Sequence, residues 1–270
     1  MLAGSLLTVT RGDELAIAFA ALGAPTGEQA IVRGLASACG WGDRGALPPT
    51  TISHGVPWGL SLVPGSLERR VFVEGDGPAV TRFAADHGAV LDRLVTLPAL
   101  PLWHAVRFDD RGPRWHVYLR IPPAGDAVAV LARLGVTAPA LRPRDRITLV
   151  SLDLTREPRI KAYVLMPDAA IAELPADTQG FARAMLGDDR RIWWLVAHGL
   201  GAQPTTALHF GVARHVDEAT VRARIAALLA TLELDATAWQ RVTEDHHFVS
   251  FQHVAGRPRV TTYFIPRVAR

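Results

Sequence analysis

The sequence predicts an α+β protein: ten antiparallel strands paired in five hairpins, with helices between the hairpins. Three observations carry that expectation. The stretch Arg159-Ile160-Lys161-Ala162-Tyr163 sets polar residues at alternate positions with apolar ones between, the period of a strand with two unlike faces. Related stretches recur: Glu68-Arg69-Arg70-Val71-Phe72, Arg114-Trp115-His116-Val117-Tyr118, Thr205-Thr206-Ala207-Leu208-His209 and Arg259-Val260-Thr261-Thr262-Tyr263. From Phe72 to Tyr118, Tyr163, His209 and Tyr263 the steps are 46, 45, 46 and 54 residues, and a near-constant step of this size marks a repeat architecture. Finally, the segments between hairpins space their apolar residues at helical intervals.

In chain order, Asp13 is placed to cap a helix running through Leu22, with Leu15, Ala18, Phe19 and Leu22 on one face. A second helical piece runs from Glu28 to Ser37, and a loop spans 40–49. Strands are expected at 54–62 and 68–74 around a turn at Pro64-Gly65. Pro78 opens a helix to about residue 95, with Val80, Phe83, Leu91 and Leu94 as its stripe. The next hairpin, 102–108 with 114–121, turns at Asp110-Arg111-Gly112, and a helix from Asp126 ends at Gly135, a natural C-terminal cap. Strands at 147–154 and 159–166 precede helical pieces between Asp168 and Leu186. Strands at 191–198 and 205–212 precede a helix capped by Asp217, with Val221, Ile225, Leu228, Leu229 and Leu232 on its inner face. Strands at 248–253 and 259–265 complete the pattern, and with no linker in view residues 1–270 read as one domain.

Composition narrows the class. Hydrophobic residues make up 49% of the chain, enough for a large core. The formal charge of +3 comes without any run of like charge, which argues against a nucleic-acid partner. Cys39 is the single cysteine, so neither a disulfide framework nor a cysteine metal site is available. Arg11, Asp13 and Glu14 come too early for a secretory leader, and no apolar run approaches a membrane span. The expectation is a soluble cytoplasmic protein with no membrane partner.

The second strands of the hairpins carry the chemistry. One face holds Trp115, Val117 and Leu119, then Ile160, Ala162 and Val164, then Val260 and Phe264, and belongs under helices. The opposite face holds Arg114, His116 and Tyr118, then Arg159, Lys161 and Tyr163, then Arg259, Thr261 and Tyr263. Two arrangements fit: an open sheet with this face in solvent, or a closed barrel with it inside. Closure removes the edges that ten antiparallel strands otherwise expose, and a barrel of that size holds a ligand.

The repeated hairpin–helix unit resembles the aromatic prenyltransferases of the αββα (ABBA) barrel type, and within them the dimethylallyltryptophan-synthase-like branch. That family has a Pro-x-Glu-x-Ser strand, an Arg-x-x-x-Glu strand and a central Arg-x-Lys-x-Tyr strand. Here the matching positions read Pro57-Trp58-Gly59-Leu60-Ser61, Arg70 to Glu74, and Arg159, Lys161 and Tyr163, and the resemblance spans roughly residues 50–266. It implies a ten-stranded antiparallel barrel of five αββα repeats with helices outside, the PT barrel. It also implies transfer of a prenyl group, dimethylallyl or geranyl, from an allylic diphosphate to an aromatic or peptide acceptor. No cofactor is implied, and basic side chains take the place of magnesium; the chain has no DDxxD motif. Arg70, His116, Arg159, Lys161 and Arg259 would bind the diphosphate, whose oxygens need several charge-assisted donors. Tyr118, Tyr163 and Tyr263 would shield the allyl cation and attract it through their ring faces. Lys161 is the only lysine among 29 lysines and arginines, and it falls at the family's lysine.

The first strands complete the wall. If every hairpin keeps the register that sets Arg107 opposite Arg114, the inward residues are Pro57, Gly59 and Ser61; Trp103, Ala105 and Arg107; Trp194 and His198; Phe248, Ser250 and Gln252. Trp103 and Trp194 would then stack on the acceptor. Three positions depart from the family: Gly59 stands where a glutamate takes the acceptor's proton, His116 replaces a lysine, and Ala207 is apolar at its counterpart. Glu74, His198 and His209 become the candidate proton acceptors. The chain is short for the tryptophan branch and nearer in size to peptide prenyltransferases. Two alternatives accompany this reading: an idle barrel that binds a small anion or isoprenoid, which Gly59 favours, and a prenyl diphosphate cyclase.

Overall fold

Strands with two unlike faces must bury one and find use for the other, and here they close on themselves. The computed structural model describes residues 11–40, 58–74, 78–92, 102–121, 125–137, 146–187, 193–200, 205–212 and 216–265. The expected strand start at 54–57 with Pro57, most of the 40–49 loop, and Arg191 and Pro204 lie outside them; the helix expected to reach about residue 95 instead ends at Asp86, before a turn in which Gly88 takes a φ of 90°.

The ten strands are β1 (Trp58–Leu62), β2 (Arg69–Glu74), β3 (Leu102–Asp109), β4 (Gly112–Arg120), β5 (Arg146–Asp153), β6 (Ile160–Met166), β7 (Trp193–Leu200), β8 (Thr206–Gly211), β9 (Asp245–Val254) and β10 (Arg257–Ile265). Each pairs antiparallel with its sequence neighbours, and β1 pairs with β10, so the sheet is a closed barrel with no free edge. Outside it lie α1 (Arg11–Ala21), α2 (Thr26–Ala38), α3 (Pro78–Asp86), α4 (Ala127–Arg133), α5 (Ala176–Leu186), α6 (Glu218–Thr231) and α7 (Thr237–Gln240), with a 3-10 turn at Asp168–Glu173 before α5.

The caps follow the sequence at α4 and α6. Asp126 accepts from the Ala129 amide at 3.0 Å, and Asp217 from the Thr220 amide at 2.8 Å. At α1 the cap differs: the helix already includes Arg11, so Asp13 sits in its first turn and pairs instead with Arg33 of α2 at 3.4 Å. An acidic residue there still favours the positive end of the helix dipole.

The main core lies between barrel and helices. Phe19 of α1 meets Phe108 of β3 at 5.3 Å between ring centres, and Phe83 of α3 meets Trp115 of β4 edge-on at 5.9 Å. Phe181 of α5 stacks on Phe251 of β9 at 4.4 Å and lies 5.5 Å from Phe210 of β8. Each such ring contributes roughly 1.5–3 kcal/mol by leaving water. Arg69 ties the barrel to α2 through two hydrogen bonds to Glu28, at 2.7 and 2.9 Å. This outer core uses the apolar faces expected from the sequence, including Val117, Leu119, Ile160, Ala162, Val164, Val260 and Phe264. The alternate residues therefore point into the lumen.

Candidate active site

The lumen is sorted by chemistry along the barrel axis. At one end stands a charged cluster. Glu68, just before β2, reaches Arg259 at 2.6 Å, Arg70 at 3.5 Å and Arg107 at 3.9 Å. Burial alone would raise its pKa; Arg70, Arg259 and Arg107 outweigh that, and the carboxyl stays below its ordinary value. Asp109 binds Arg114, and His116 Nδ1 lies 2.6 Å from Asp153 Oδ1. Lys161 joins this cluster from β6, where it faces Ser151 of β5 in register. Burial, then the field of Arg70, brings its pKa down to about 8. The cluster is thus a concentration of cations, and Glu68, Asp109 and Asp153 offset only part of it.

One rung further in, the five equivalent positions of the repeat meet. Phe72 lies 5.8 Å from Tyr118, Tyr118 lies 6.3 Å from Tyr163, and Tyr163 lies 5.3 Å from His209. His209 in turn lies 6.0 Å from Tyr263, and Tyr263 lies 5.6 Å from Phe72. The belt is therefore continuous, with one ring from each repeat. It touches the charged end directly: Arg70 donates from Nη1 to the Tyr118 hydroxyl at 3.0 Å and lies over the Phe72 ring. Burial, above all, raises the pKa of Tyr163 and Tyr263, so both phenols stay neutral. Burial, then Lys161, drives His209 down to about 3, so its ring is neutral too.

Beyond the belt an apolar pocket of about 100 Å³ opens, with Gly59, Trp103, Leu149, Leu195 and Phe248 in its wall and belt rings as its floor. Small residues make the room: Ala105, Ala197 and Ala207 line the lumen. Gly59 lies where backbone closes in. A methyl group added there would meet the Phe264 carbonyl oxygen of β10 at 2.9 Å, beside the register shift between Tyr263 and Phe264.

The structure sorts the sequence candidates. It brings Arg70, His116, Lys161 and Arg259 to the charged end and Tyr118, Tyr163, Tyr263 and His209 to the belt. Arg159 lies just outside β6 and is exposed, at the rim of the charged end. Glu74 and Trp103 are register partners across β2 and β3, and Trp103 lines the pocket. Trp194 and His198 are corrections. Tyr163 pairs with Ala197, and so the inward residues of β7 are Trp193, Leu195, Ala197 and Gly199. Trp194 is instead fully buried outside the lumen, stacked 6.1 Å from Phe210 in the core beneath α5. His198 shares that outward face, opposite Ala162. The register is one residue off the expected one because Trp194 and its register partner Phe210 go under the helix, against Phe181 of α5. A single-residue slip turns over every side chain of a strand.

Reasoning from sequence missed Glu68, Asp153 and Ser151 as lumen residues, although Glu68 stands in the repeat stretch itself. The other inward residues of the first strands fall as expected: Gly59, Ser61, Ala105, Arg107, Phe248, Ser250 and Gln252 pair with lumen residues of their neighbours.

No family model matches the chain, and no curated protein matches it. Solved structures do. The apo form of the prenyltransferase PriB superposes with a TM-score of 0.74 at 23% identity, covering 94% of each chain. The 5-dimethylallyl tryptophan synthase from Streptomyces coelicolor, solved in complex with DMASPP and Trp, gives 0.76 at 21% identity over 96% of each chain. AnaPT from Neosartorya fischeri gives 0.70 at 12% identity over 95% of this chain and 92% of its own. The fold is that of the prenyltransferase barrel. The PT-barrel architecture that the resemblance implies is thus the one present, with ten strands in the lumen wall and helices outside; of the two arrangements that the repeat allows, it is the closed one. Among the described residues, no helix is long and apolar enough to cross a membrane.

Proposed function

We propose that this chain, as one domain over residues 1–270, transfers a prenyl group from an allylic diphosphate to an aromatic acceptor inside the barrel. The observation that carries this reading is the continuous aromatic belt between a cationic end and an apolar pocket. Such an order suits a reaction in which an anion leaves on one side, a cation forms in the middle and an electron-rich ring attacks from the other side.

The diphosphate binds Arg70, Arg107, Lys161, Arg259 and His116, with Arg159 at the rim. These donors stabilise the growing negative charge as the carbon–oxygen bond breaks and its electron pair passes to the diphosphate. The allyl cation left behind lies within the belt, where Tyr118, Tyr163 and Tyr263 attract it through their faces and exclude water. A carbon of the acceptor ring, stacked beside Trp103, forms the new bond and then loses its proton. We assign that proton to Glu74, a carboxylate one rung outward beside Trp103. His209, neutral down to about pH 3, serves as a belt ring. At Gly59, where the tryptophan-prenylating branch carries its glutamate, even a Cβ would meet the Phe264 carbonyl oxygen at 2.9 Å, so a glutamate there requires the β10 backbone to move. Gly59 therefore does not single out an idle barrel.

Similarity supports the same reading. PriB has been solved in a ternary complex with L-tryptophan and dimethylallyl thiolodiphosphate, and NotF with brevianamide F and DMSPP. For this chain the partners are then a prenyl diphosphate and an aromatic small molecule or peptide, in the cytoplasm, with neither nucleic acid nor membrane involved and no cofactor. Incubation with C5, C10 and C15 diphosphates and a panel of indoles, phenols and aromatic peptides, read by intact mass, tests it. The expected result is an acceptor heavier by one prenyl unit. Diphosphate release without an adduct would point to cyclisation or hydrolysis, and binding without turnover to an idle barrel.

A further inference from the structure

His116 differs in kind from the other members of the charged end. It stands where the resemblance leads one to expect a fixed positive charge, and its ring is held by one strong partner. Nδ1 lies 2.6 Å from Asp153 Oδ1, while Nε2 is buried with no hydrogen-bond partner. Burial alone would raise Asp153, but the hydrogen bond and charge of His116, with Arg107 and Arg70, hold it below its ordinary value, so the carboxylate accepts and Nδ1 donates. Nε2 therefore carries a bare lone pair. A lone pair repels the oxygens of a diphosphate, which need donors. A neutral His116 is the wrong group for a donor site, and a protonated one is the right group.

The surroundings decide which form is present. His116 faces Ala105 and Arg107 of β3, Arg114 and Tyr118 of its own strand, Ser151 and Asp153 of β5, Arg70 of β2 and Lys161 of β6. Burial lowers its pKa to about 4; Asp153 pulls the other way, and Arg70 and Arg107 push it further down. The empty barrel thus holds a neutral ring, because a further cation beside these guanidiniums is unfavourable. A diphosphate among the same guanidiniums reverses that balance, since it neutralises them and places oxygens within reach of Nε2.

On the reading of this end as the donor site, we propose that binding the diphosphate protonates His116, which then bridges Asp153 and a phosphate oxygen, so that donor binding takes up one proton. The proton comes from solvent, adds to the Nε2 lone pair and returns to solvent when diphosphate leaves; no bond of the donor changes in this step. Asp153 is the positioning residue: it fixes the tautomer and supplies the counter-charge that the imidazolium requires.

The test is isothermal titration calorimetry of the unreactive donor analogue dimethylallyl thiolodiphosphate at pH 7, in buffers of different ionisation enthalpy. The slope of apparent enthalpy against buffer enthalpy counts protons. Close to one proton taken up is expected for the wild type, and close to none for His116→Lys, which carries its charge before binding. Lys161, at about 8, is already mostly charged at pH 7 and adds little. Between pH 8 and 6.5, wild-type affinity should rise by about tenfold per unit more than that of His116→Lys, because a group whose pKa is higher in the complex gains protons on binding. Asp153→Asn should bind the analogue more weakly and take up less than half a proton. If the analogue binds but wild type takes up no proton, or His116→Lys takes up as much, the proposal is overturned and the donor site stands. If the analogue fails to bind wild type at all, both fall.

Discussion

Replacing Lys161 with methionine separates a structural lysine from a donor-binding one, because the two roles predict opposite shifts in stability. The side chain enters the lumen beside Arg70, Arg107 and Arg259, and its pKa falls from 10.5 to about 8, first through burial and then through Arg70. At ~1.4 kcal/mol per pKa unit, holding this ammonium in the empty barrel costs about 3 kcal/mol relative to the unfolded chain. The sign follows from linkage. A cation with a lowered folded pKa destabilises the fold fully below that pKa, and the penalty fades as pH rises from about 8 towards 10.5. At pH 7 it is fully present. Methionine keeps a stem of similar length and removes the charge, so differential scanning calorimetry at pH 7 should show Tm rising by roughly 6–12 °C, at about 2–4 °C per kcal/mol for a chain of this size. Catalysis should move the other way. Loss of one charged partner from a desolvated anion site costs about 2–4 kcal/mol, roughly 30- to 1000-fold in kcat/KM. Lys161→Arg should recover only part of it, since a planar fork has a different reach from an ammonium. Added diphosphate should raise Tm less in the methionine variant than in wild type. A variant that melts several degrees lower, or that keeps wild-type turnover, would refute both the cluster and the donor site built on it.

Four further outcomes follow from the same geometry. Turnover should survive excess EDTA, since arginines and one lysine surround the diphosphate; loss on chelation with rescue by magnesium would make lumen carboxylates such as Asp109 and Asp153 metal ligands. Trp194→Ala should cost about 3–5 kcal/mol of stability in denaturant melts, as a buried core ring does, whereas Trp103→Ala should leave stability nearly intact and raise the KM for acceptor. Gly59→Glu should cost about 1–3 kcal/mol of stability, read as a lower Tm, without improving transfer, because the new Cβ would meet the Phe264 carbonyl oxygen at 2.9 Å. Stability should fall as pH drops below about 6.5, the ordinary histidine value, because His116 and His209 resist protonation down to about 4 and 3 while the unfolded chain takes up protons. Urea melts at pH 7, 6 and 5 check this, and His209→Gln should flatten the trend.

How much of this was legible in the sequence depended on strand period and on contacts. The second strand of each hairpin could be read because its two faces differ sharply: Ile160, Ala162 and Val164 cannot share a face with Lys161 and Tyr163. The five belt positions could be read because the repeat spacing brings equivalent residues to one level of the barrel. Strand β7 could not be read the same way. Trp193, Trp194 and Leu195 are all apolar, so alternation gave no phase, and only the pairing of Tyr163 with Ala197 decides which of them turn inward. Glu68 was passed over because an acidic residue among arginines looks like a surface ion pair; only closure of the barrel, which brings Arg259 to 2.6 Å from it, shows that it is buried.

The two halves of the site are therefore built by different means. The proposed donor half rests on residue types repeated at fixed spacing: Arg70, His116 and Lys161 each stand two residues before a belt ring, at Phe72, Tyr118 and Tyr163. The acceptor half rests on how closely backbone and rings approach. Gly59 admits the Phe264 carbonyl, and Gly211 admits the Trp193 ring, whose atoms come within 2.4 Å of where a Cβ would stand. Neither glycine bears a reacting group, yet both shape the pocket proposed for the acceptor, since Trp193 in turn meets Phe248 of the pocket wall edge-on at 5.1 Å. A barrel of this kind can keep one donor and alter its acceptor by substitutions at positions that carry no chemistry.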